Sequence, residues 1–263
     1  MNRLAAMLGL GVSAAAIAIT TLGFRPATVS GADDDSLWKP FLSTDDFNKL
    51  VESEVKTIRD ELNKPKADAH KIKGSAILIA LAAQNNKDAT DPKQVATVRD
   101  TALKLFAAAD KSKEAKTLAN ALSNLKQMKS DPQAKTEPVD WRKQIDDLKD
   151  AMDVFGLPAK GGEGIERDLI ILGGQRKLLS PAQMSDKLVL LAYKTALIAD
   201  VAKAHQDQGE KKKKEWLRLT DEMRRASLDL AESAKAKKQK ETKTALNKLN
   251  TSCNDCHTTF RDK

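Results

Sequence analysis

Apolar residues recur at steps of three and four along most of this chain, and that spacing restricts it to helices. Leu246, Leu249, Cys253, Cys256 and Phe260 form one such stripe, on a helix expected to start near Gln239. Trp216, Leu219, Met223, Ala226 and Leu230 form a second, and Leu191, Thr195, Ile198, Ala202 and His205 a third, with Gly209 in the polar break between them. A fourth, Trp141, Ile145, Leu148, Met152 and Phe155, follows Pro138 and Asp140, residue types that suit a helix start. Nothing competes as strand. Aromatic residues make up 4% of the chain, β-branched runs are short, and Ala, Lys, Leu and Glu dominate. Charged residues, 31% of the total, fall mostly opposite the stripes, which predicts amphipathic helices with short connections in an antiparallel bundle.

The first half gives a second set of four. Phe47, Val51, Val55, Ile58 and Leu62 share a face on a helix whose start is marked by Ser43 and Asp46 and whose end is marked by Pro65. "KIKGSAILIALAAQ", "VATVRDTALKLFAAAD" and "KEAKTLANALSNLKQM" supply three more segments. "KEAKTLANAL" from Lys113 matches "KETKTALNKL" from Lys240, and "TALKLFAAA" resembles "ASLDLAESA", so the two halves read as a duplicated bundle. The fold expected is therefore all-α: two antiparallel helical bundles, residues 33–130 and 131–263, divided within "KSDPQAKTEPVD". One irregularity is left open. Either "IERDLIILGGQRKLLSP" is an inserted excursion, or it is the second bundle's first helix and the Trp141 helix is extra. "GGEG" does not read as a phosphate loop, because no strand precedes it.

Residues 1–32 read as a signal peptide: Arg3, an apolar run without acidic residues, then Ser30 and Ala32 where a signal peptidase cuts. Cleavage places the remainder in a periplasmic or secreted, oxidising compartment with no membrane attachment; retention as an anchor is the alternative. The chain carries 45 Lys and Arg against 37 Asp and Glu, and two of those cations fall in the leader, leaving the remainder basic by six. The densest cluster, Lys211 to Lys214, is expected on a loop and suits an acidic protein partner. Nucleic acid is excluded for want of aromatic stacking groups. Hydrolytic catalysis is excluded for want of a Ser-His-Asp or paired-carboxylate constellation, so no enzyme is expected.

Both cysteines of the chain and one of its three histidines lie within five consecutive positions, Cys253 to His257. In an oxidising compartment two cysteines default to a disulfide, but a bridge across one turn closes too small a loop to stabilise a domain of this size. A thioredoxin-like pair needs a strand-to-helix junction, and zinc needs about four ligands, whereas His70 and His205 stand apart. CxxCH is the attachment signature of haem c, one per chain here. Two thiols three residues apart share a helix face and can each add to a vinyl group of one porphyrin, while the adjacent imidazole of His257 reaches the iron. If the internal duplication holds, Lys126, Lys129 and Ser130 occupy the corresponding positions, and the first bundle has no haem motif.

"TALNKLNTSCNDCHTTFR", with CxxCH close to the carboxyl end and a Phe-Arg pair after it, resembles the four-helix-bundle c-type cytochromes of the cytochrome c-prime superfamily. The likeness covers about 138–263 and includes "LKDAMDVF" and "KGGEG", as in secreted bacterial members. It implies haem c, a four-helix bundle, and either electron transfer or ligand binding at iron; such bundles often form homodimers. The end of the last helix lies beside the first helix and the end of the second, which names Met152 and His205 as candidates for the sixth iron ligand. A thioether would raise the potential and a second imidazole would lower it. The third possibility is an open site binding a small gaseous ligand. In that case Trp141 and Trp216 are either cavity walls or plain core. The leading expectation is a monohaem electron carrier. A helical interaction or assembly protein with a degenerate haem half is the reading from another class.

Overall fold

A computed structural model describes residues 39–206 and 210–260; the expected leader lies outside the described residues. Every regular element among them is helical. The described residues form one compact unit.

Four helices build the first bundle: α1 (Thr44–Leu62), α2 (Ala69–Gln84), α3 (Pro92–Ala107) and α4 (Ser112–Leu122). Each packs on its successor, and α4 returns to α1. Their starts follow from local chemistry. The Ser43 hydroxyl accepts from the Asp46 amide, and Asp68 and Asp91 cap α2 and α3 in the same way. The second bundle holds α7 (Ile165–Gly174), α8 (Asp186–Ala204), α9 (Glu210–Lys235) and α10 (Gln239–Phe260). α9 packs between α8 and α10, and α7 lies against α10. The segments that match in sequence occupy matching places: "KEAKTLANAL" lies in α4 and "KETKTALNKL" in α10, "TALKLFAAA" in α3 and "ASLDLAESA" in α9.

The structure settles which segment opens the second bundle. α7 runs along α10, with the Asn250 amide donating to the Leu169 carbonyl at 3.1 Å and Lys243 to the Gly173 carbonyl at 2.6 Å. The Trp141 segment is the extra one. Nor is it the single helix that its stripe suggests: it breaks into α5 (Trp141–Gln144) and α6 (Leu148–Met152), followed by a 3₁₀ turn at Asp153–Phe155. Asp140 and Asp147 accept from amides two residues on and restart the chain twice, which divides the stripe.

The boundary read at 130/131 falls inside the compact unit, where the bundles share a core. Two helices account for this. Residues 74–83 of α2 and 191–202 of α8 are buried without interruption, so neither helix has a solvent face, and α2 packs on α8. The single stripe read on α8 is corrected accordingly. Its other side is covered by the first bundle, even at Lys194 and Asp200. Buried polar groups tie the halves together. Asp200 accepts from Arg224 at 2.7 Å and from the Asn85 amide at 3.3 Å, while Asp46 of α1 takes Lys235 at 2.8 Å and the Tyr193 hydroxyl at 3.2 Å. The segment joining the bundles is pinned as well: the buried Arg99 guanidinium donates to the Lys135 and Glu137 carbonyls.

Shared burial predicts shared unfolding. Ile77→Ala in α2 and Leu197→Ala in α8 each empty a fully buried site and should each cost about 2–5 kcal/mol. In urea, tryptophan fluorescence and far-ultraviolet circular dichroism should report one coincident transition for both variants; two separated steps would show that the bundles unfold independently.

Candidate functional site

The carboxyl-terminal turns of α10 open into a cavity of about 470 Å³. Cys253, Cys256 and His257 line it, all three from one helix face that continues the buried stripe of Leu246 and Leu249. The remaining walls come from three elements. α6 and its 3₁₀ turn contribute Met152 and Phe155, α7 contributes Glu166, Leu169 and Ile170, and α9 contributes Trp216 and Met223. Trp216 is fixed twice, by donating its indole N–H to the Ala202 carbonyl at 2.8 Å and by an edge-on contact with Phe260 at 5.0 Å between ring centroids.

Both cysteines are unbridged. Burial, and then the neighbouring Cys256 and Glu166, push the Cys253 thiol up to about 12, and burial raises Cys256 too. That is the reverse of a redox dithiol, whose nucleophilic sulfur is held as thiolate by positive surroundings. The pair is therefore built to be held in an apolar wall. His257 Nδ1 stands 4.0 Å from a Glu166 carboxylate oxygen, which places a negative charge beside the imidazole.

His205 does not join this group. α8 ends at Ala204, and the His205 ring turns to the inter-bundle segment, with Nδ1 2.9 Å from the Val201 carbonyl and Nε2 2.7 Å from the Ile145 carbonyl. The ring is buried and does not line the cavity, so its expected place as an iron ligand is corrected to that of a tie between α8 and the turn after α5. Trp141 is core rather than cavity wall. The lysine cluster does not sit on a loop. Residues 210–214 form the first turns of α9, which places Lys212 and Lys214 at the surface about one turn before Trp216.

Sequence spacing missed the contribution of α7. Glu166, Leu169 and Ile170 lie on the segment whose place in the bundle was undecided, and its three-residue and four-residue steps around Leu169 were the available signal. Met223 was placed on a stripe without a reason to favour it over core.

Two thiols, an imidazole and the thioethers of Met152 and Met223 within one apolar cavity fit a large flat group tethered through sulfur and bound at a metal. The comparison with known families agrees. Residues 201–261 match the family model of Cytochrome C′. This part of the chain is cytochrome c-prime-like. The match takes in the end of α8 and all of α9 and α10, the last two of which contribute walls of the cavity. No curated protein and no solved structure matches the chain.

The raised thiols make a prediction that needs no haem. In the folded apo-chain at pH 8, alkylation of Cys253 should run on the order of 10³-fold slower than in urea, where an ordinary thiol near 8.5 is partly thiolate. Peptide mass spectrometry after timed iodoacetamide treatment reads this, and equal rates in both states would contradict the apolar setting.

Proposed function

We propose that the chain is an exported monohaem c-type cytochrome that carries electrons and turns over no substrate. The observation that supports it is the convergence of Cys253, Cys256 and His257 on one cavity that Met152 also lines. Bound haem would supply a one-electron iron couple. The residues of the chain would do the rest. Cys253 and Cys256 would hold the haem through thioether bonds, each S–H adding across a vinyl group with no oxidant required. His257, with Glu166 near its Nδ1, would bind the iron through its imidazole. Met152 would offer a thioether to the same iron. Leu148, Phe155 and Leu169 would give the group an apolar wall.

The compartment follows from residues 1–32 and from the chemistry, since thioether attachment suits a protein that would otherwise lose its haem outside the cell membrane. Among the described residues no helix is long and apolar enough to cross a membrane. The surface lysines at the start of α9, close in sequence to Trp216, suit an acidic redox partner whose approach would be accelerated at low salt. A second reading rests on the apolar character of the cavity wall. Without a bond from Met152, the sixth position would be open to a small gaseous ligand.

One set of spectra separates these readings. The reduced protein should show the absorption of low-spin haem c, unchanged by carbon monoxide, with a long-wavelength sulfur-to-iron band in the oxidised state. Met152→Leu should abolish that band and admit carbon monoxide. A wild-type protein that binds carbon monoxide at once favours the ligand-binding reading. The double variant Cys253→Ser, Cys256→Ser should lose the haem stain after denaturing electrophoresis and lose the mass of one haem. A wild-type chain with the mass of bare amino acids overturns both readings and leaves a helical interaction protein.

A further inference from the structure

Where the two bundles meet behind the cavity, two carboxylates share one lysine. Lys194 of α8 places Nζ 2.5 Å from Glu54 of α1 and 2.5 Å from Glu163, in the loop that leads into α7. Glu54 is fully buried, Lys194 nearly so, and the Glu163 side chain is 17% exposed. The trio has one positive charge for two negative ones, and its hydrogen bonding is incomplete. Glu54 Oε1 has the Lys194 ammonium beside it, but Glu54 Oε2 and Glu163 Oε1 are buried without a hydrogen-bond partner. Oxygens of ionised carboxylates only accept, so two of them facing each other cannot satisfy one another. A single added proton supplies the missing donor and makes the trio neutral. Burial first, and then the charge of Glu54, raise Glu163 to about 8 against the opposing pull of Lys194. Lys194 is held above the ordinary lysine range: burial works against its charge, but the two carboxylates outweigh it.

The loop connects this trio to the cavity. The Glu163 amide donates to the Val154 carbonyl at 2.9 Å and the Gly164 amide to the Gly156 carbonyl at 2.7 Å, and Phe155 and Gly156 line the cavity. The two chain segments approach so closely that a Cβ at Gly162 would lie 2.1 Å from the Gly156 carbonyl oxygen. Glu166, three residues beyond Glu163, stands against His257. Other charges on the packed elements are engaged among themselves: on the α2 side Asp68 and His70 lie against Gly161, and at the end of α6 Asp153 is held by Lys149 at 2.5 Å. Within an interior of low dielectric, a charge gained or lost at Glu163 acts on the cavity with little screening.

We propose that Glu163, with Glu54 and Lys194, is a proton-binding site linked to the redox state of the cavity, so that over its titration range reduction is accompanied by proton uptake. This rests on the reading of the protein as a haem electron carrier. In the balanced step, a reduced donor protein gives one electron to ferric iron, making it ferrous, and solvent gives one proton to the Glu163 carboxylate. Oxidation by the acceptor reverses both.

The test is the midpoint potential of the haem-bearing full chain between pH 6 and pH 10. The wild-type potential should fall as pH rises through the titration of Glu163, because the departing proton leaves a negative charge that favours ferric iron. Glu163→Gln, neutral throughout, should hold the low-pH value across the range. Glu54→Gln removes the neighbouring charge and should move the fall to lower pH; it serves also if Glu163→Gln does not fold. A flat wild-type potential, or an unchanged fall in Glu163→Gln, overturns the proposal. Two readouts do not involve the haem. The infrared carbonyl band of a protonated carboxyl should be present at pH 7 and absent in Glu163→Gln. The stability of the wild type relative to Glu163→Gln should be greatest below the ordinary Glu range and decline as pH rises through about 8, since the folded state holds this proton more tightly than the unfolded one. A chain without haem defeats the redox linkage together with the electron-carrier reading, leaving the infrared band to report the proton site alone. A haem-bearing chain with a flat potential defeats the linkage only.

Discussion

A helix without a polar face must be covered on every side, and this chain has two. The middle of α2 is Ala, Ile and Leu almost throughout, and α8 runs through twelve buried positions in succession, 191–202. Neither can be satisfied by the three other helices of its own bundle, which leave one flank open to solvent. Placing α2 against α8 covers both flanks at once. Each Å² of apolar surface so removed from water favours that contact by roughly 25 cal/mol. The two sets of four helices thus share one core.

That contact also explains the position of the site. The segment between the bundles cannot swing free, because Arg99 holds it at Lys135 and Glu137, Gln84 takes the Val139 amide, and His205 takes the Ile145 carbonyl. It is led across α2 and α8 and ends as α6, where Met152 and Phe155 become one wall of the cavity. Val154, between them, packs so tightly on α2 that a Cβ at Gly74 would meet it at 3.0 Å. The first bundle therefore supports a wall of a site it does not otherwise enter. Its role need not be a separate activity.

Much of this was legible in the residues, and the exceptions have physical causes. The start of α10 at Gln239, the Ser43 cap of α1 and the shared face of Cys253 and Cys256 follow from spacing and capping, which are local. The break of the Trp141 stripe into α5 and α6 does not: apolar positions at 141, 145, 148 and 152 fit one helix as well as two, and Asp147 decided it by capping. The burial of Lys194 was invisible for a different reason. A lysine at that point of an otherwise apolar run reads as the exposed side of an amphipathic helix, and only the approach of Glu54, 140 positions earlier, allows it inside. His205 was misplaced because its position on a stripe says nothing of which way a side chain turns once the helix has ended.

The first bundle's lack of a haem motif has a backbone counterpart. α10 runs unbroken through Cys253, Cys256 and His257 to Phe260, presenting the three side chains within about one turn on one face. α4 stops at Leu122 and gives way to a 3₁₀ turn at Leu125–Gln127, so the corresponding positions 126, 129 and 130 do not continue a helix. Ser130 instead donates its hydroxyl to the Asp91 cap of α3 at 2.6 Å, and the chain turns from there into the inter-bundle segment. If both halves descend from one bundle, exchanging the two cysteines was not the whole change. α4 ends before these positions, and the chain beyond them forms the connection that walls the other half's cavity, so placing Cys at 126 and 129 and His at 130 would not create a second site.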